Sequence, residues 1–160
     1  QFRKNPAIHF VIMGEGAYKK EVEQKIASQK LENVTLLPFQ PYEEISHVFS
    51  LGDVGLVISK ENVGENSVPS KTWSIMSAAR PVLASFDENS ALYEIIEKYN
   101  AGVFVKSGDK EALYNAILEL YNNPEQRKKM GQNGRAFILK NLTREIGTSK
   151  YVEVIKSVVK

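Results

Sequence analysis

The sequence predicts an α/β protein built on a doubly wound parallel sheet, with extra helices at its C-terminal end. Short apolar runs alternate with segments of helical periodicity as far as residue 105, which is typical of parallel strands joined by crossover helices. The run Ile8–Met13 is almost continuously apolar, as expected of a strand buried on both faces of the sheet. From Lys110 onwards the periodicity is helical only. We read all 160 residues as a single domain.

Each predicted element follows from a local pattern. Four further strands are short apolar runs with turn residues beside them, namely Val34–Leu37, Val54–Ile58, Pro81–Ser85 and Gly102–Val105. The helices show apolar residues at intervals of three and four. They are Tyr18–Gln29, Tyr42–Leu51, a helix that carries Trp73, Ile75 and Met76, Ala91–Tyr99, and three C-terminal helices marked by Leu113–Tyr121, Met130–Ile138 and Tyr151–Val159.

Composition limits the class of function. The chain has 42% hydrophobic and 25% charged residues, which is enough for an independent core. Its net charge is only +2 with both signs interspersed, so we expect no nucleic-acid partner. The absence of cysteine excludes thiol chemistry and permits a cytoplasmic location. His9 and His47 have no partner at metal-ligand spacing, so we expect structural roles for both and no metal.

The segment Ser67–Thr72 is the strongest candidate for a binding site. It lies between a polar loop and an apolar helix, and Pro69 suits the first position of that helix, where a missing N–H costs nothing. Ser70 and Lys71 follow with backbone N–H groups that lack an intrahelical partner. These donors, the helix dipole and the Lys71 ammonium favour an anion, most simply a phosphate or diphosphate. The alternative is a helix start that binds only water.

Three loops are predicted to meet at one edge of the sheet. Ligands of open parallel sheets bind beyond the C-terminal ends of the strands. The loops Gly14–Gly16, Phe39–Pro41 and Ser59–Lys71 all follow predicted strands, so we expect them to form one site. The glycines of the first loop are explained about equally well by the turn alone.

Two common nucleotide-binding classes are disfavoured. Lys19 occupies the third glycine position of the dinucleotide fingerprint, and Leu37 leads into Pro38 where an acidic residue would hold a ribose. The sequence also lacks the Gly-x4-Gly-Lys-Ser/Thr loop of nucleoside-triphosphate hydrolases.

Five fragments occur in the order and spacing of a known family. They are Met13–Gly16, Asn33–Phe39, Val68–Lys71, Ala78–Ser85 and Ala101–Gly102. Together they resemble the C-terminal, donor-binding half of a GT-B glycosyltransferase of the large retaining group 1/family 4 class. The likeness runs from about Ile8 to Met130 and is closest to the bacterial branch that acts on N-acetylated aminosugars such as fucosamine. The implied fold is Rossmann-like, with the first strand of this half and an acceptor-binding N-terminal domain preceding Gln1.

The resemblance implies a UDP-linked or other nucleotide sugar as substrate, no metal or other cofactor, and transfer with retention to a growing surface polysaccharide or lipid-linked acceptor. The diphosphate would contact Ser67, Val68, Pro69, Ser70, Lys71 and Thr72. The base would lie against Phe39, Gln40 and Pro41. The sugar or ribose would lie against Gly14, Glu15, Gly16, Asn66 and Ser74. No catalytic residue is assigned.

The sequence departs from the family pattern at two positions. The family commonly carries two glutamates eight residues apart on this loop and helix, and here the aligned residues are Asn66 and Ser74. Two alternatives therefore stay open: a binding or scaffold module without activity, and a GT-B sugar-nucleotide 2-epimerase.

Other polar residues have simpler explanations. We expect Trp73 to be a core anchor, and Asp87 to cap the loop before the next helix rather than to touch the sugar. A basic face made of Arg127, Lys128, Lys129, Arg135 and Lys140 is interpreted as solvated surface, with attraction to an anionic membrane at the inner face of the cell membrane as the alternative.

Overall fold

The computed structural model of the chain describes residues 1–62 and 68–159. These residues confirm the predicted α/β class with parallel strands and additional C-terminal helices. By its internal packing the chain divides into two compact units, Gln1–Gly52 and Asp53–Lys160. Each unit contains its own parallel sheet.

The first unit is a βαβ arrangement followed by a short helix. Strands β1 (Phe10–Met13) and β2 (Val34–Leu37) pair in parallel, and helix α1 (Lys19–Gln29) connects them. After β2 come a 3₁₀ turn (Tyr42–Glu44) and helix α2 (Ile45–Leu51), where the sequence predicts a single helix.

Strand β1 is more exposed than its apolar sequence predicts. Ile8 is buried, but it precedes the strand, and within the strand Val11 and Ile12 are 44% and 45% exposed. The prediction of burial on both faces is therefore wrong for these residues. An apolar run predicts that a strand forms, whereas burial depends on what packs against each face, which the run itself does not specify.

The second unit is a three-stranded parallel sheet with helices. Its strands are β3 (Gly55–Ile58), β4 (Val82–Phe86) and β5 (Gly102–Lys106), in the order β3-β4-β5. Its helices are α3 (Lys71–Ser77), α4 (Ala91–Tyr99), α5 (Lys110–Asn122), α6 (Pro124–Asn141) and α7 (Arg144–Val158). Periodicity predicts the strands and helices, but not which strands become neighbours, and the five strands lie in two sheets rather than in one.

The last helix begins earlier than predicted. Helix α7 starts at Arg144, whereas the apolar periodicity begins only at Tyr151. Thr143 accounts for the difference, because its Oγ1 accepts a hydrogen bond from the Ile146 backbone N–H at 3.3 Å and so caps the helix.

The core of the second unit is centred on β4. Every residue of this strand is buried, since it has a hydrogen-bonded neighbour on each side and helices pack against it. Side chains of α5 and α6 pack with those of β4 and β5 in one buried cluster, which consists of Leu83, Val105, Ala116, Leu120 and Met130.

Helix α6 lies close against α3. A Cβ atom at Gly131 would collide with the Ala79 carbonyl, so only glycine permits this approach. The guanidinium of Arg135 donates to the Ser77 carbonyl oxygen at the C-terminal end of α3. Half-buried Trp73 stacks on Phe137 with ring centroids 6.1 Å apart, in agreement with its predicted core role.

Two arginines of the predicted basic face form hydrogen bonds within the protein. Arg127 donates to the carbonyl oxygens of Leu120 and Tyr121 at the end of α5, and Arg135 donates to Ser77 as described above. Arg135 is nevertheless exposed, as are Lys128, Lys129 and Lys140, and Arg127 is half-buried. Four of the five bases therefore lie at the surface, as the sequence predicts.

Gly102 offers a test of the sheet packing. It lies opposite Val82, and a Cβ atom at this position would overlap the Val82 carbonyl oxygen and lie 2.7 Å from the carbonyl carbon. Because the neighbouring backbone would have to move, we expect Gly102→Ala to lower the free energy of unfolding by roughly 3 kcal/mol, measured by urea denaturation. Gly16→Ala is the matched control, since nothing lies within 4 Å of its Cβ position. Equal stability of the two variants would contradict this packing.

Candidate functional site

The first turn of α3 is the centre of the candidate site. Ser70 is the N-cap residue and Lys71 the first helical residue, so Pro69 lies one residue before the cap and not at the predicted first helical position. The Pro69 carbonyl nevertheless accepts from the Thr72 N–H at 2.9 Å, and this short turn precedes the regular helix. Val68 and Pro69 are half-buried.

Ser70 and Lys71 lie at the surface, and their donors have no partner among residues 1–62 and 68–159. The N–H groups of Thr72 and Trp73 are used by the carbonyls of Pro69 and Ser70, at 2.9 and 3.1 Å. Within the described ranges, the N–H groups of Ser70 and Lys71 have no such partner, and Lys71 makes no ion pair. Both residues are exposed. Two backbone donors and one ammonium at a helix start suit an anion.

Thr72 differs from its neighbours. Its side chain is fully buried, and its Oγ1 atom has no hydrogen-bond partner among the residues that the structure describes. A buried hydroxyl without a partner is unfavourable, because its desolvation is not compensated by a hydrogen bond. The hydroxyl lies inside the protein, however, rather than on the surface that exposes Lys71.

Of the other residues predicted to bind the donor in this segment, the structure describes Ser74 but not Asn66 or Ser67. Ser74 lies in the middle of α3 and is half-buried. The predictions for Ser67 and Asn66 fall on residues outside the described ranges.

In the first unit, the two predicted loops meet at the C-terminal ends of β1 and β2. The Gly14 N–H donates to the Leu37 carbonyl at 3.0 Å. Gly14 has φ +139°, and its Cβ position lies 3.4 Å from Cε1 of Phe39. The positive φ favours glycine here, whereas a Cβ atom at this distance from the ring would make only an ordinary van der Waals contact. Phe39 itself is 70% exposed, so its ring is available at this edge.

Local hydrogen bonds engage two further predicted residues. Glu15 accepts from Lys19 Nζ at 2.6 Å, and this hydrogen bond raises the pKa of Lys19 above its usual value. Gln40 Nε2 donates to the Pro38 carbonyl at 3.0 Å. Pro41 and Gly16 are exposed. That all three loops form one site stays a prediction, because it joins loops of both units.

The histidines have structural partners, as predicted. His9 Nε2 lies 2.7 Å from Thr35 Oγ1, and His47 Nδ1 lies 2.7 Å from Glu44 Oε2. Among residues 1–62 and 68–159, no group of three or more acidic or histidine side chains is placed to hold a metal ion.

Asp87 has the structural role in the loop before α4 that the sequence predicts, but it does not cap that helix. Ser90 caps helix α4, since its hydroxyl accepts from the Tyr93 N–H at 3.3 Å. Asp87 Oδ1 instead accepts from the Asn62 N–H at 3.1 Å and from Ser107 Oγ at 2.6 Å. These three residues come from separate connections of the chain, so no local sequence pattern could have indicated the cluster.

A groove of about 320 Å³ lies elsewhere in the first unit, between α1 and β2. Ile26, Val34 and Leu36 are among the residues that line it, together with Lys19 and Glu23. None of the residues predicted for donor binding contributes to this lining, so we do not connect it with the candidate site.

Parallel strands with crossover helices, and polar loops at their C-terminal ends, place the chain among the Rossmann-like α/β proteins. The model of the family "Glycosyl transferases group 1" matches residues 1–137. The chain therefore belongs to the group 1 glycosyltransferase family.

Individual relatives agree with this assignment. EpsD of Bacillus subtilis is 31% identical over 139 residues, which are 86% of this chain and 34% of EpsD. WcaI of Escherichia coli, whose name assigns it to colanic acid biosynthesis, is 26% identical over 118 residues, which are 73% of this chain and 29% of WcaI. The chain thus spans about a third of the length of the curated relatives that it matches.

A solved structure shows the same fold. HepE of Anabaena, crystallised in complex with UDP-glucose, is similar with a TM-score of 0.76 and 20% sequence identity. The similarity covers 94% of this chain and 41% of HepE.

Thr72 provides a test of the site geometry. Replacing it with valine exchanges a buried hydroxyl that lacks a partner for a methyl group of similar size. We expect Thr72→Val to raise the free energy of unfolding by about 1 kcal/mol in chemical denaturation. Thr72→Ala is the control, because it also removes the hydroxyl but leaves a cavity and should destabilise. A loss of stability in Thr72→Val would mean that the hydroxyl has a partner.

Proposed function

We propose that this chain is the donor-binding part of a retaining glycosyltransferase, which transfers a sugar from a nucleotide-diphosphate sugar to a surface-polysaccharide or lipid-linked acceptor. The single observation that carries this proposal is the exposed first turn of α3, where Ser70 and Lys71 offer two N–H groups and an ammonium that have no partner in the described part of the chain. Membership of the group 1 family gives that anion site its chemical context.

The proposed chemical role of this turn is to stabilise the leaving group. When the bond between sugar and diphosphate breaks, negative charge builds up on the departing nucleotide. Fixed backbone donors and a lysine ammonium aimed at that charge lower the barrier, because they need no reorganisation during the reaction. No metal is required in this account, since the charge of Lys71 and the helix dipole act on the diphosphate directly.

The donor is proposed to be UDP-linked and to carry an N-acetylated aminosugar. The UDP-glucose bound by HepE supports the choice of UDP, and the fucosamine-type branch follows from the sequence resemblance. The relationship to WcaI supports a role in polysaccharide assembly. The base would then lie against Phe39, Gln40 and Pro41, and the sugar or ribose against the Gly14–Gly16 loop, Asn66 and Ser74.

The proposed partners are an acceptor-binding domain of the same protein and, at the inner face of the cell membrane, its lipids. A cytoplasmic location fits the sugar-nucleotide donor. Within residues 1–62 and 68–159, no helix has both the length and the apolar character needed to span a bilayer. Lys128, Lys129, Arg135 and Lys140 are exposed bases of the predicted basic face that could attract anionic lipid.

One alternative rests on a specific observation. Asn66 and Ser74 stand where the family pattern has glutamates, which favours a sugar-nucleotide-binding module without transferase activity. A nucleotide sugar that binds but is never turned over on a lipid-linked acceptor would support this alternative. A 2-epimerase would instead need carboxylates and a histidine in the cleft, and both His9 and His47 are occupied by structural partners.

Lys71 tests the proposal. We expect Lys71→Ala to weaken UDP binding by 10- to 100-fold in titration calorimetry of the full-length protein, because a charge-assisted contact of roughly 1.5–3 kcal/mol is lost. Lys128→Ala removes another exposed lysine, from α6, and should leave the affinity unchanged. GDP serves as the control for the base.

Either of two results would exclude the site. One is that neither UDP nor GDP binds to the unmodified protein. The other is that Lys71→Ala and Lys128→Ala bind UDP with the same affinity as the unmodified protein.

A further inference from the structure

Helix α7 exposes an apolar stripe. The structure describes all of Arg144–Val158, and none of these residues is buried. The stripe consists of six side chains that are at least 42% exposed, namely Tyr151, Val152, Val154, Ile155, Val158 and Val159. A contiguous apolar surface on a soluble protein usually marks an interaction site. A helix of 15 residues is also marginal in water by itself, so we expect another surface to stabilise it.

Helical geometry places this stripe on one side of α7. Its members follow one another at intervals of three and four residues between Tyr151 and Val158, which is the spacing of neighbours on one helix face. Ser149 and Glu153 are one turn apart on the opposite face, and both are exposed. The last three turns of α7 are therefore amphipathic.

Lysines border the stripe on both sides. Lys150 lies one turn before Val154, at one edge, and Lys156 lies one turn after Val152, at the other edge. Both lysines are exposed. A lysine in such a position extends the apolar surface with its methylene groups and places its ammonium beside a negatively charged group.

The C-terminal part of the sequence has an excess of positive charge. Residues 124–160 contain nine lysine or arginine residues and three acidic residues. Residues 1–123 contain twelve lysine or arginine residues and sixteen acidic residues. The partner of this part of the chain is therefore expected to be anionic.

We propose that α7 docks on an anionic lipid surface, with its stripe among the acyl chains and its two bordering lysines at the headgroups. This inference rests on the membrane partner named in the proposed function and adds the element that makes the contact. An apolar face with basic residues beside it is typical of helices that lie in the plane of a bilayer. Helix α7 is about 22 Å long, shorter than the roughly 30 Å hydrocarbon core, so it lies on the bilayer and does not cross it.

Two other occupants fit the stripe less well. The centres of protein interfaces are depleted of lysine, whereas Lys150 and Lys156 directly adjoin this stripe. Pairing with a second copy of the chain would bring together two segments with the same excess of positive charge. Anionic headgroups attract each lysine and accept the apolar side chains at the same surface.

The first test measures how the full-length protein binds vesicles in the absence of nucleotide. We expect co-sedimentation with vesicles of equal parts phosphatidylglycerol and phosphatidylcholine, and at least tenfold weaker binding to phosphatidylcholine alone. Val154→Asp places a carboxylate in the stripe and should weaken binding to the anionic vesicles at least tenfold; Val154 is 61% exposed, so no core packing is lost. Ser149→Asp adds the same charge on the opposite face and should cost less than fivefold.

The second test concerns the bordering lysines. Combining Lys150→Gln with Lys156→Gln should weaken binding to the anionic vesicles roughly 25-fold, because each base near the surface contributes about fivefold. Lys20→Gln with Lys25→Gln removes two exposed lysines of α1 and should leave the binding unchanged.

A fluorescence measurement reports insertion directly. The indole introduced by Tyr151→Trp should emit at shorter wavelength on anionic vesicles and be quenched by lipids with brominated acyl chains, because the stripe lies among those chains. Trp73 is the one tryptophan of the native sequence and is half-buried, so the unmodified protein supplies the background signal.

The outcomes separate this inference from the proposed donor site. If the protein binds UDP but no anionic vesicles, or if Val154→Asp and Ser149→Asp bind vesicles equally well, the lipid contact is overturned while the donor site stands. If it binds anionic vesicles through the stripe but no nucleotide, the donor site fails and the lipid contact stands.

The same variants reveal the other occupants. If Val154→Asp lowers the thermal midpoint, or turns a dimer into a monomer, while vesicle binding is unchanged, the stripe packs against protein and the inference is overturned. Should Val154→Asp not fold, the double lysine variant decides: unchanged binding to anionic vesicles overturns the inference.

Discussion

The burial of β4 between two hydrogen-bonded neighbours is the constraint on which the second unit depends. Because β3 and β5 both pair with it in parallel, the connections that follow the three strands emerge at one edge. Every side chain of β4 is buried, so the strand cannot shift its register without exposing apolar area on one face or the other. The position of the candidate site is a consequence of this arrangement.

The C-terminal end of helix α3 packs against α6, whereas its N-terminal turn is exposed. The small residues of α6 bring its backbone against the end of α3, and Arg135 donates to the Ser77 carbonyl oxygen there. The first turn, in contrast, is exposed at Ser70 and Lys71. The proposed electrostatic role needs such a rigid support, because donors already fixed in place lose little entropy when a ligand arrives.

The strands, the helices and the family could be predicted from the sequence. The contacts of individual side chains at the candidate site could be predicted only in part. Strands such as Val34–Leu37 and helices such as Ala91–Tyr99 have the predicted bounds, since hydrophobic periodicity reports local structure directly. The exposure of Val11 and the division of the strands into two sheets depend on long-range packing, which periodicity does not encode. The cap at Thr143 was readable in principle, because threonine before a polar first turn is a helix-start signal.

The helix start was predictable because it depends on one continuous segment. Ser70 and Lys71 lie exposed at the beginning of α3, close to the predicted start, whereas their role in binding stays a prediction. The burial of Thr72 and the cluster of Asp87, Asn62 and Ser107 could not be predicted. Each depends on side chains from distant parts of the chain, and a single sequence without aligned homologues gives no signal for such contacts.

The most direct test of the central claim is an NMR titration of the ¹⁵N-labelled protein with UDP and, separately, with uridine. The account predicts that the backbone amide signals of Ser70 and Lys71 shift with UDP and hardly move with uridine, because they bind the diphosphate. If UDP binds and shifts other amides while those of Ser70 and Lys71 stay in place, the first turn of α3 is not the diphosphate site.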